Sequence, residues 1–164
     1  MSERMLVVGG SGQIGGAVVR RLDDSDRTVE FTYRRTNSQI GDLTTYQLDI
    51  RDRARTIEVI TKIEPDVVVH AAAATDVDRC ETDPELAQAI NLEGTKHVVE
   101  ACQKVNSHLV ALSTAYVFGE GTGPYKVSDA RCPVNTYGQS KAASERIVLS
   151  SDLRTTILRT DQPY

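Results

Sequence analysis

Tyr137 and Lys141 stand four residues apart in the segment Tyr-Gly-Gln-Ser-Lys, a spacing that puts a phenol and an ammonium group on one face of a helix. A Ser-Thr pair, Ser113 and Thr114, ends an apolar run farther upstream. A tyrosine whose pKa is about 10 is a weak acid or base at neutral pH, and a neighbouring positive charge lowers that pKa by favouring tyrosinate. The arrangement therefore predicts a proton-transfer site.

Each of these side chains has a distinct predicted role. Tyr137 would act as general acid and base, Lys141 would tune the phenol and anchor a cofactor ribose, and Thr114 would hydrogen-bond a substrate carbonyl or hydroxyl. The spacing alone is weak evidence, because a chain with 6 tyrosines can show it by chance. In the alternative interpretation, Tyr137 packs in the core and Lys141 is a surface charge. The order of the motifs along the chain favours the catalytic interpretation.

A glycine-rich turn near the N-terminus predicts a dinucleotide site. Glycines stand at positions 9, 12 and 15, directly after a short apolar strand and at the start of a helical pattern. Glycine lets the backbone approach a pyrophosphate closely, and a helix N-terminus attracts the anion. An ordinary strand-to-helix turn is the alternative, and a Walker-type phosphate loop is excluded because Gly-Lys-Ser/Thr is missing. The predicted cofactor-binding residues of the turn are Gly9, Gly12, Gln13, Ile14 and Gly15.

The end of the second predicted strand distinguishes between the two nicotinamide dinucleotides. An acidic residue there binds the adenosine ribose, whereas arginine accommodates a 2′-phosphate. Arg34 and Arg35 stand at this position and favour NADP(H) over NAD(H). Asp49 and Ile50, after the third strand, are expected to flank the adenine. The alternatives are solvated arginines in a loop and an Asp49 that only caps a helix or stabilises a turn.

Alternating strand and helix patterns would position these residues. Apolar runs predict strands at 5–8, 28–33, 45–48, 67–69, 108–113 and 155–158. Helical periodicity predicts helices at 13–22, 52–64, 84–102 and 136–150, and a glycine- and proline-rich loop at 118–135. Short links between the units indicate a parallel sheet with right-handed crossovers. The predicted fold is α/β, a Rossmann-type doubly wound parallel sheet of about six strands in the order 3-2-1-4-5-6 with helices on both faces.

Composition narrows the functional classes. The 164 residues predict one domain, and a net charge of −4 without a basic patch argues against nucleic acid as a partner. No window approaches the ~20 consecutive apolar residues that span a bilayer, and the N-terminus lacks the pattern of a signal peptide. The 3 cysteines are widely spaced and form no Cys-x-x-Cys pair, which predicts a cytoplasmic location and no metal site.

Several motifs occur in a fixed order: Gly-x-x-Gly-x-x-Gly at 9–15, Asp-Ile at 49–50, Asp-Val-Val-Val-His-Ala-Ala-Ala at 66–73, Asn-Leu-Glu-Gly-Thr at 91–95, Ser-Thr-Ala-Tyr-Val-Phe-Gly at 113–119 and Pro-x-x-x-Tyr-Gly-x-Ser-Lys at 133–141. Together they resemble the extended short-chain dehydrogenase/reductases, and within them the branch of dTDP-4-dehydrorhamnose reductases and related nucleotide-sugar enzymes. The resemblance implies NAD(P)H bound across the sheet, with Ala71, Ala72 and Ala73 lining it and Asn91 supporting the region of the active-site helix. It also implies hydride transfer at a sugar C4 carbonyl while Tyr137 moves the proton.

The resemblance also sets expectations for the domain organisation. The reductase branch carries an aspartate where this chain has Ala115. The family continues into a smaller C-terminal lobe that grips the sugar nucleotide, so residues 1–164 are expected to form an NAD(P)-binding Rossmann domain without that lobe. A homo-oligomer or a partner chain would then cover the exposed edge. A second hypothesis is a non-catalytic dinucleotide-binding module, similar to the regulatory subunit of methionine adenosyltransferase.

Overall fold

The computed structural model describes residues 2–36, 40–119 and 123–161, and within them it contains a parallel β-sheet. The strands are β1 (Arg4–Val8), β2 (Thr28–Tyr33), β3 (Thr44–Gln47), β4 (Val67–His70), β5 (His108–Thr114) and β6 (Thr155–Thr160). Their order across the sheet is β3-β2-β1-β4-β5-β6, and every neighbouring pair is parallel. The predicted α/β class and the predicted strand order are therefore confirmed.

Apart from the connection between β2 and β3, helices connect consecutive strands. They are α1 (Gln13–Asp23), α2 (Arg53–Ile63), α3 (Val77–Thr82), α4 (Pro84–Ala87), α5 (Gly94–Val105) and α6 (Thr136–Leu149). A π-helical segment (Gln88–Glu93) joins α4 to α5, and a 3-10 turn (Ala115–Val117) follows β5. Among the described residues, no helix has the length and apolar composition needed to cross a membrane.

Two parts of this arrangement differ from the sequence prediction. The single helix expected at 84–102 is interrupted by the π-helical segment. The segment was not predicted because it is too short to change the apolar period from which the helix was identified. The short helix α3 has too few residues to show a period, so it was not predicted. Its N-terminus is capped by Asp76, whose side chain accepts a hydrogen bond from the backbone of Arg79. In the loop predicted at 118–135, residues 120–122 lie outside the described residues.

The sheet is buried on both faces, as its runs of valine require. Adjacent residues of β1 point to opposite sides: Leu6 belongs to a core cluster with residues of α2 and α5, whereas Val7 packs with Val19 of α1. Leu6, Val7 and Val19 are fully buried. Burial of each such side chain stabilises the fold by about 1.5–3 kcal/mol. Because both faces of the sheet are covered, a ligand would bind at its carboxyl edge, where all the parallel strands end.

Candidate active site

The turn after β1 brings the backbone of the chain close to that of the loop after β4. Gly9 has a φ of +88°, and a Cβ atom placed on it would lie 2.7 Å from the backbone nitrogen of Ala72. Only glycine adopts this conformation and permits this approach without strain. The amide of Gly9 donates to the side-chain hydroxyl of Thr32 at 3.0 Å, which ties the turn to β2. The turn after β1 is thus fixed between the loop after β4 on one side and β2 on the other.

The same turn opens directly into α1. Gly12 is the N-cap residue and its amide donates to the carbonyl of Gly9 at 3.0 Å, while no side chain caps the helix. A Cβ atom on Gly15 would lie 2.2 Å from the Gly9 carbonyl oxygen, so the helix can pack against the turn only with glycine there. The helix N-terminus, with its partial positive charge, is available to an anion such as a diphosphate.

An open cavity of about 350 Å³ extends from the turn across the ends of β2, β3 and β4. It brings together the residues that the sequence predicts for the adenosine end of a dinucleotide. These are Gly9, Gly12, Arg34, Arg35, Asp49, Ile50, Ala71, Ala72 and Ala73.

Asp49 has a partner within the protein. The guanidinium of Arg51 donates from Nε to Oδ1 at 3.0 Å and from Nη2 to the other carboxylate oxygen. This hydrogen bonding holds the pKa of Asp49 below its ordinary value, and the charge of Arg34 acts in the same direction. Asp49 is therefore ionised at neutral pH and orients the guanidinium of Arg51 beside this first cavity.

A second cavity of about 550 Å³ continues from the first towards β5 and β6, and both are lined by Gly12, Ala71 and Ala73. It joins the N-terminus of α1 to the three predicted catalytic side chains. Its lining includes Gln13, Ile14, Gly15, Thr114, Tyr137 and Lys141. Every site residue predicted from the sequence thus lines one of two contiguous cavities, although their roles in binding and catalysis stay predictions.

Tyr137 lies in the first turn of α6 and is only 8% exposed. Its ring meets that of Tyr116 edge to face, with the ring centroids 5.9 Å apart. Burial raises the pKa of Tyr137 above its ordinary value, and a hydrogen bond with the Thr114 side chain opposes this only in part. The expected lowering of this pKa by Lys141 is therefore wrong for this structure, because desolvation of the phenol outweighs any stabilisation of tyrosinate.

Lys141, one turn farther along α6, is buried rather than exposed. Its ammonium Nζ donates to the backbone carbonyl of Leu112 at 2.8 Å, which fixes the side chain against β5. Burial lowers the pKa of Lys141 to about 8, and the nearby carboxylate of Glu145 limits this effect. The interpretation of Lys141 as a surface charge is therefore excluded.

Thr114 ends β5 and is buried. Its side-chain oxygen accepts a hydrogen bond from the backbone amide of Tyr116 at 3.2 Å, which starts the 3-10 turn. This contact fixes the rotamer of Thr114 and leaves its hydroxyl beside the phenol of Tyr137. The end of β5 and the start of α6 therefore place two hydroxyl groups next to each other.

Asn91, in the π-helical segment, connects three parts of the site. Its side chain accepts from the backbone amide of Ala74 at 2.8 Å and donates to the carbonyl of the same residue at 3.0 Å. It also donates to the hydroxyl of Ser140 at 2.9 Å, and that hydroxyl donates to the carbonyl of Tyr137. Asn91 thus ties the loop after β4 to the start of α6, in agreement with the support expected for it.

One buried ionisable residue near the site, Glu145, was not predicted. Glu145, one turn after Lys141, pairs with Arg131 and with Arg159 of β6, and its carboxylate is 2% exposed. Burial acts to raise its pKa, but the hydrogen bonds from its partners lower it on balance. The only signal in the sequence was the spacing of four residues from Lys141, which is common on solvated helix faces.

His70, at the end of β4, lines the second cavity. The hydroxyl of Thr95 donates to the carbonyl of Asn91 at 2.6 Å, so its oxygen accepts a hydrogen bond from Nε2 of His70 at 3.0 Å. Burial lowers the pKa of His70 to about 3, and the positive charge of Lys141 adds to the effect. His70 is therefore a neutral hydrogen-bond donor at physiological pH.

The parallel sheet and the glycine turn define the class of the protein: it has the fold of the extended short-chain dehydrogenase/reductases, with Thr114, Tyr137 and Lys141 lining one cavity at the carboxyl edge of the sheet. Within that class, the chain belongs to the family described as the RmlD substrate binding domain, whose model matches residues 3–164.

Known proteins agree with this assignment. The dTDP-4-dehydrorhamnose reductase of Aggregatibacter actinomycetemcomitans is 34% identical over 162 residues, which are 98% of this chain and 52% of that protein. A hypothetical dTDP-4-dehydrorhamnose reductase from Sulfolobus tokodaii superposes with a TM-score of 0.87 at 40% identity, over 96% of this chain and 55% of that one. The Bacillus anthracis dTDP-4-dehydrorhamnose reductase, solved in complex with NADP, superposes with a TM-score of 0.81 at 32% identity, over 100% of this chain and 55% of that one. The chain thus spans about half the length of the curated relatives it matches.

Proposed function

We propose that this chain is the cofactor-binding and catalytic part of an NADP(H)-dependent reductase that transfers a hydride at the carbonyl of a nucleotide sugar. The proposal depends on the second cavity, which is lined both by the N-terminus of α1 and by Thr114, Tyr137 and Lys141. The relatives named dTDP-4-dehydrorhamnose reductase support the substrate class, and the NADP complex of one of them supports the cofactor.

The residues present fit a dinucleotide. The uncapped N-terminus of α1 and the amides of the glycine turn would hold the diphosphate, since a side chain at Gly9 or Gly15 would collide with backbone. Ile50 and Ala72, which both line the first cavity, would contact the adenine. Arg34 and Arg35 would bind a ribose 2′-phosphate.

The bound nicotinamide would supply or accept the hydride. In the reductive direction Tyr137 would donate its phenolic proton to the substrate oxygen, and its raised pKa keeps that proton in place at neutral pH. Thr114 would hydrogen-bond the same oxygen and orient it. The ammonium of Lys141 has three N–H donors, of which the hydrogen bond to Leu112 takes one, so the others would hold ribose hydroxyls.

We further propose that a substrate-binding segment outside these 164 residues completes the site. The chain spans about half the length of its relatives, and the second cavity is lined mainly by residues assigned here to the cofactor and the proton transfer. The grip on the sugar nucleotide would come from such a segment or from a partner chain. A version of the protein extended beyond residue 164 should therefore lower the KM for substrate and leave the affinity for NADPH unchanged.

The proposal is tested by following NADPH oxidation with a dTDP-4-dehydro-6-deoxy sugar as substrate. Tyr137→Phe should reduce kcat at least about 100-fold and leave NADPH affinity within a few-fold, because only the proton donor is removed. Tyr46→Phe is the control, since Tyr46 lies on β3 and hydrogen-bonds Glu30 away from the cavity. Turnover that persists in Tyr137→Phe would reject the chemistry. Tight NADPH binding without turnover in the unaltered, extended protein would instead support the regulatory module.

Cofactor preference has its own measurement. Calorimetric titration should show tighter binding of NADPH than of NADH, and Arg34→Ala or Arg35→Ala should reduce the difference. Equal affinities for the two cofactors in the unaltered protein would contradict the assigned preference.

A further inference from the structure

A small cavity of about 10 Å³ adjoins the second cavity, and Lys141 lines both. His70 of β4 and Leu112 and Ser113 of β5 also line both, so these side chains form the wall between the two spaces. Glu145 lines only the small cavity. A cavity of this size holds at most about one water molecule, so little water screens the charges around it. The carboxylate of Glu145 therefore lies behind Lys141, on the side away from the ligand.

Two arginines fix the carboxylate of Glu145. Arg159 of β6 donates from Nε to Oε1 at 2.8 Å and from Nη2 to Oε2 at 2.7 Å, and Arg131 also donates to Oε2. Neither arginine lines the small cavity. The side chains of Arg131 and Arg159 are 27% and 15% exposed, against 2% for Glu145. Solvent therefore screens the guanidinium charges more than it screens the carboxylate, which is also nearer to the small cavity.

The other neighbours of Lys141 give it no buried counter-ion. Apart from Glu145, the ionisable side chains that line the two cavities are Tyr116 and Tyr137, His70 on β4, and Asp161 after β6. Phenols are uncharged at neutral pH, and burial keeps His70 neutral as well. Asp161 is exposed, so its charge is screened by solvent. Among the described residues, Glu145 is thus the one buried anion that shares a cavity with Lys141.

We propose that Glu145 is a positioning residue: its buried carboxylate is the counter-ion that keeps Lys141 in its ammonium form. A direct ion pair is not needed, because charges in a poorly hydrated interior interact more strongly than in water. In agreement with this, burial lowers the pKa of Lys141 to about 8, and the charge of Glu145 opposes the decrease. The consequence for catalysis rests on the proposed function. Only the ammonium form has three N–H donors, enough to hold the carbonyl of Leu112 and the ribose hydroxyls together.

The test is a pH titration of the lysine side chains by NMR, on the full chain labelled with ¹³C-lysine and without ligand. The chain has 5 lysines, and Lys141→Met identifies the signal of Lys141. In Glu145→Gln the pKa of Lys141 should fall by about one pH unit or more, as expected for the loss of a nearby opposite charge. Glu145→Asp keeps the charge, so the pKa should stay within about half a unit of the wild-type value. Glu100→Gln is the matched control, since it removes a carboxylate from an exposed ion pair.

The sign of the shift separates this role from a merely structural one. If Glu145 only holds the arginines in place, its loss loosens the packing and admits water, which raises the pKa of Lys141 towards its ordinary value. A rise, or no change, in Glu145→Gln therefore refutes the inference. If this variant does not fold, Glu145→Gln combined with Arg159→Gln removes both members of a buried pair and is less destabilising. The pKa should still fall there, by a smaller amount, because the carboxylate is the nearer charge.

The outcomes also separate this inference from the proposed function. Turnover of NADPH by the extended protein needs the ammonium form of Lys141, so it should be lost as the pH rises through the pKa of that group. In Glu145→Gln this alkaline limit should move to lower pH by as much as the pKa does. If the pKa falls but the limit stays, Glu145 is the counter-ion and the assigned role of Lys141 fails. If the unaltered extended protein shows no turnover, the NMR shift still decides the inference and the reductase assignment fails.

Discussion

Replacing Lys141 by methionine should stabilise the protein while abolishing its chemistry. Lys141 is 6% exposed, and burial lowers its pKa from the ordinary value of 10.5 to about 8. Because the folded state disfavours the ammonium form, the charge destabilises the fold to its full extent below pH 8 and progressively less between pH 8 and 10.5. Methionine has a similar length and carries no charge, so the substitution removes this cost.

The magnitude follows from the lowered pKa. At about 1.36 kcal/mol per pH unit, the charged side chain destabilises the fold by about 3 kcal/mol at pH 7. Loss of the hydrogen bond to the Leu112 carbonyl costs about 1 kcal/mol, so Lys141→Met should gain about 2 kcal/mol. Between pH 8 and 10.5 the folded state loses its proton before the unfolded state does, and the wild-type protein becomes more stable relative to the variant. The advantage of the variant should therefore fall by about 2–3 kcal/mol between pH 7 and pH 10.

Urea unfolding of the wild-type protein and the variant at several pH values measures the difference in their free energies of unfolding. The contributions of most other titrating groups cancel in this difference because both proteins contain them. Lys104→Met makes the same substitution at an exposed position of α5 and should change stability by less than about 0.5 kcal/mol at pH 7. A variant less stable than wild type at pH 7 would refute the reasoning, as would a stability difference that does not change with pH. Loss of turnover together with a gain in stability would mark Lys141 as a residue retained for function.

Three further predictions concern the contacts that hold the site together, and all are measured by urea unfolding without ligand. Gly15→Ala should destabilise the fold by about 1–3 kcal/mol because its Cβ would lie 2.2 Å from the backbone oxygen of Gly9. Gly12→Ala should destabilise it less, because its Cβ would lie 3.3 Å from the same oxygen. Equal losses of stability in the two variants would contradict this explanation. Glu145→Gln should destabilise the fold by about 3 kcal/mol because it leaves Arg131 and Arg159 without their carboxylate partner. Glu100→Gln, which breaks an exposed ion pair, should destabilise it by less than about 1 kcal/mol. A small effect at both positions would show that the buried ion pairs of Glu145 do not stabilise the fold. Asn91→Ala should destabilise the fold by about 2–3 kcal/mol, since it removes hydrogen bonds to two backbone groups and one hydroxyl. A urea unfolding curve identical to that of the wild type would show that water replaces the amide.

Much of the site follows from local sequence patterns. Glycines at 9, 12 and 15 lie where a strand ends and a helix begins, and the geometry of that junction excludes other side chains at Gly9 and Gly15. Tyr137 and Lys141 share a helix face because of their spacing alone. Parallel strands end at one edge, so residues that follow different strands meet there without any further information. These regularities explain why all the predicted site residues line two contiguous cavities.

The predictions that failed concern the environment of a side chain rather than its place. The pKa of Tyr137 is raised because helices and loops from separate parts of the chain bury the phenol, and no spacing within α6 encodes that desolvation. The π-helical segment was missed because it has only 6 residues, too few to change the apolar period of the surrounding helix.

The sequence by itself determined the alternation of strands and helices and the residues that follow each strand, since both depend on interactions between near neighbours in the chain. The order of the sheet followed from the Rossmann-type fold that these patterns predicted. Only the tertiary structure decided which charges are buried and which partners they have. Glu145 meets Arg131 and Arg159 from two other segments, and Arg79 of α3 lines the same cavity as Arg34 from the loop after β2. Desolvation and ion pairing depend on distances between atoms that are remote in sequence, and only folding sets those distances.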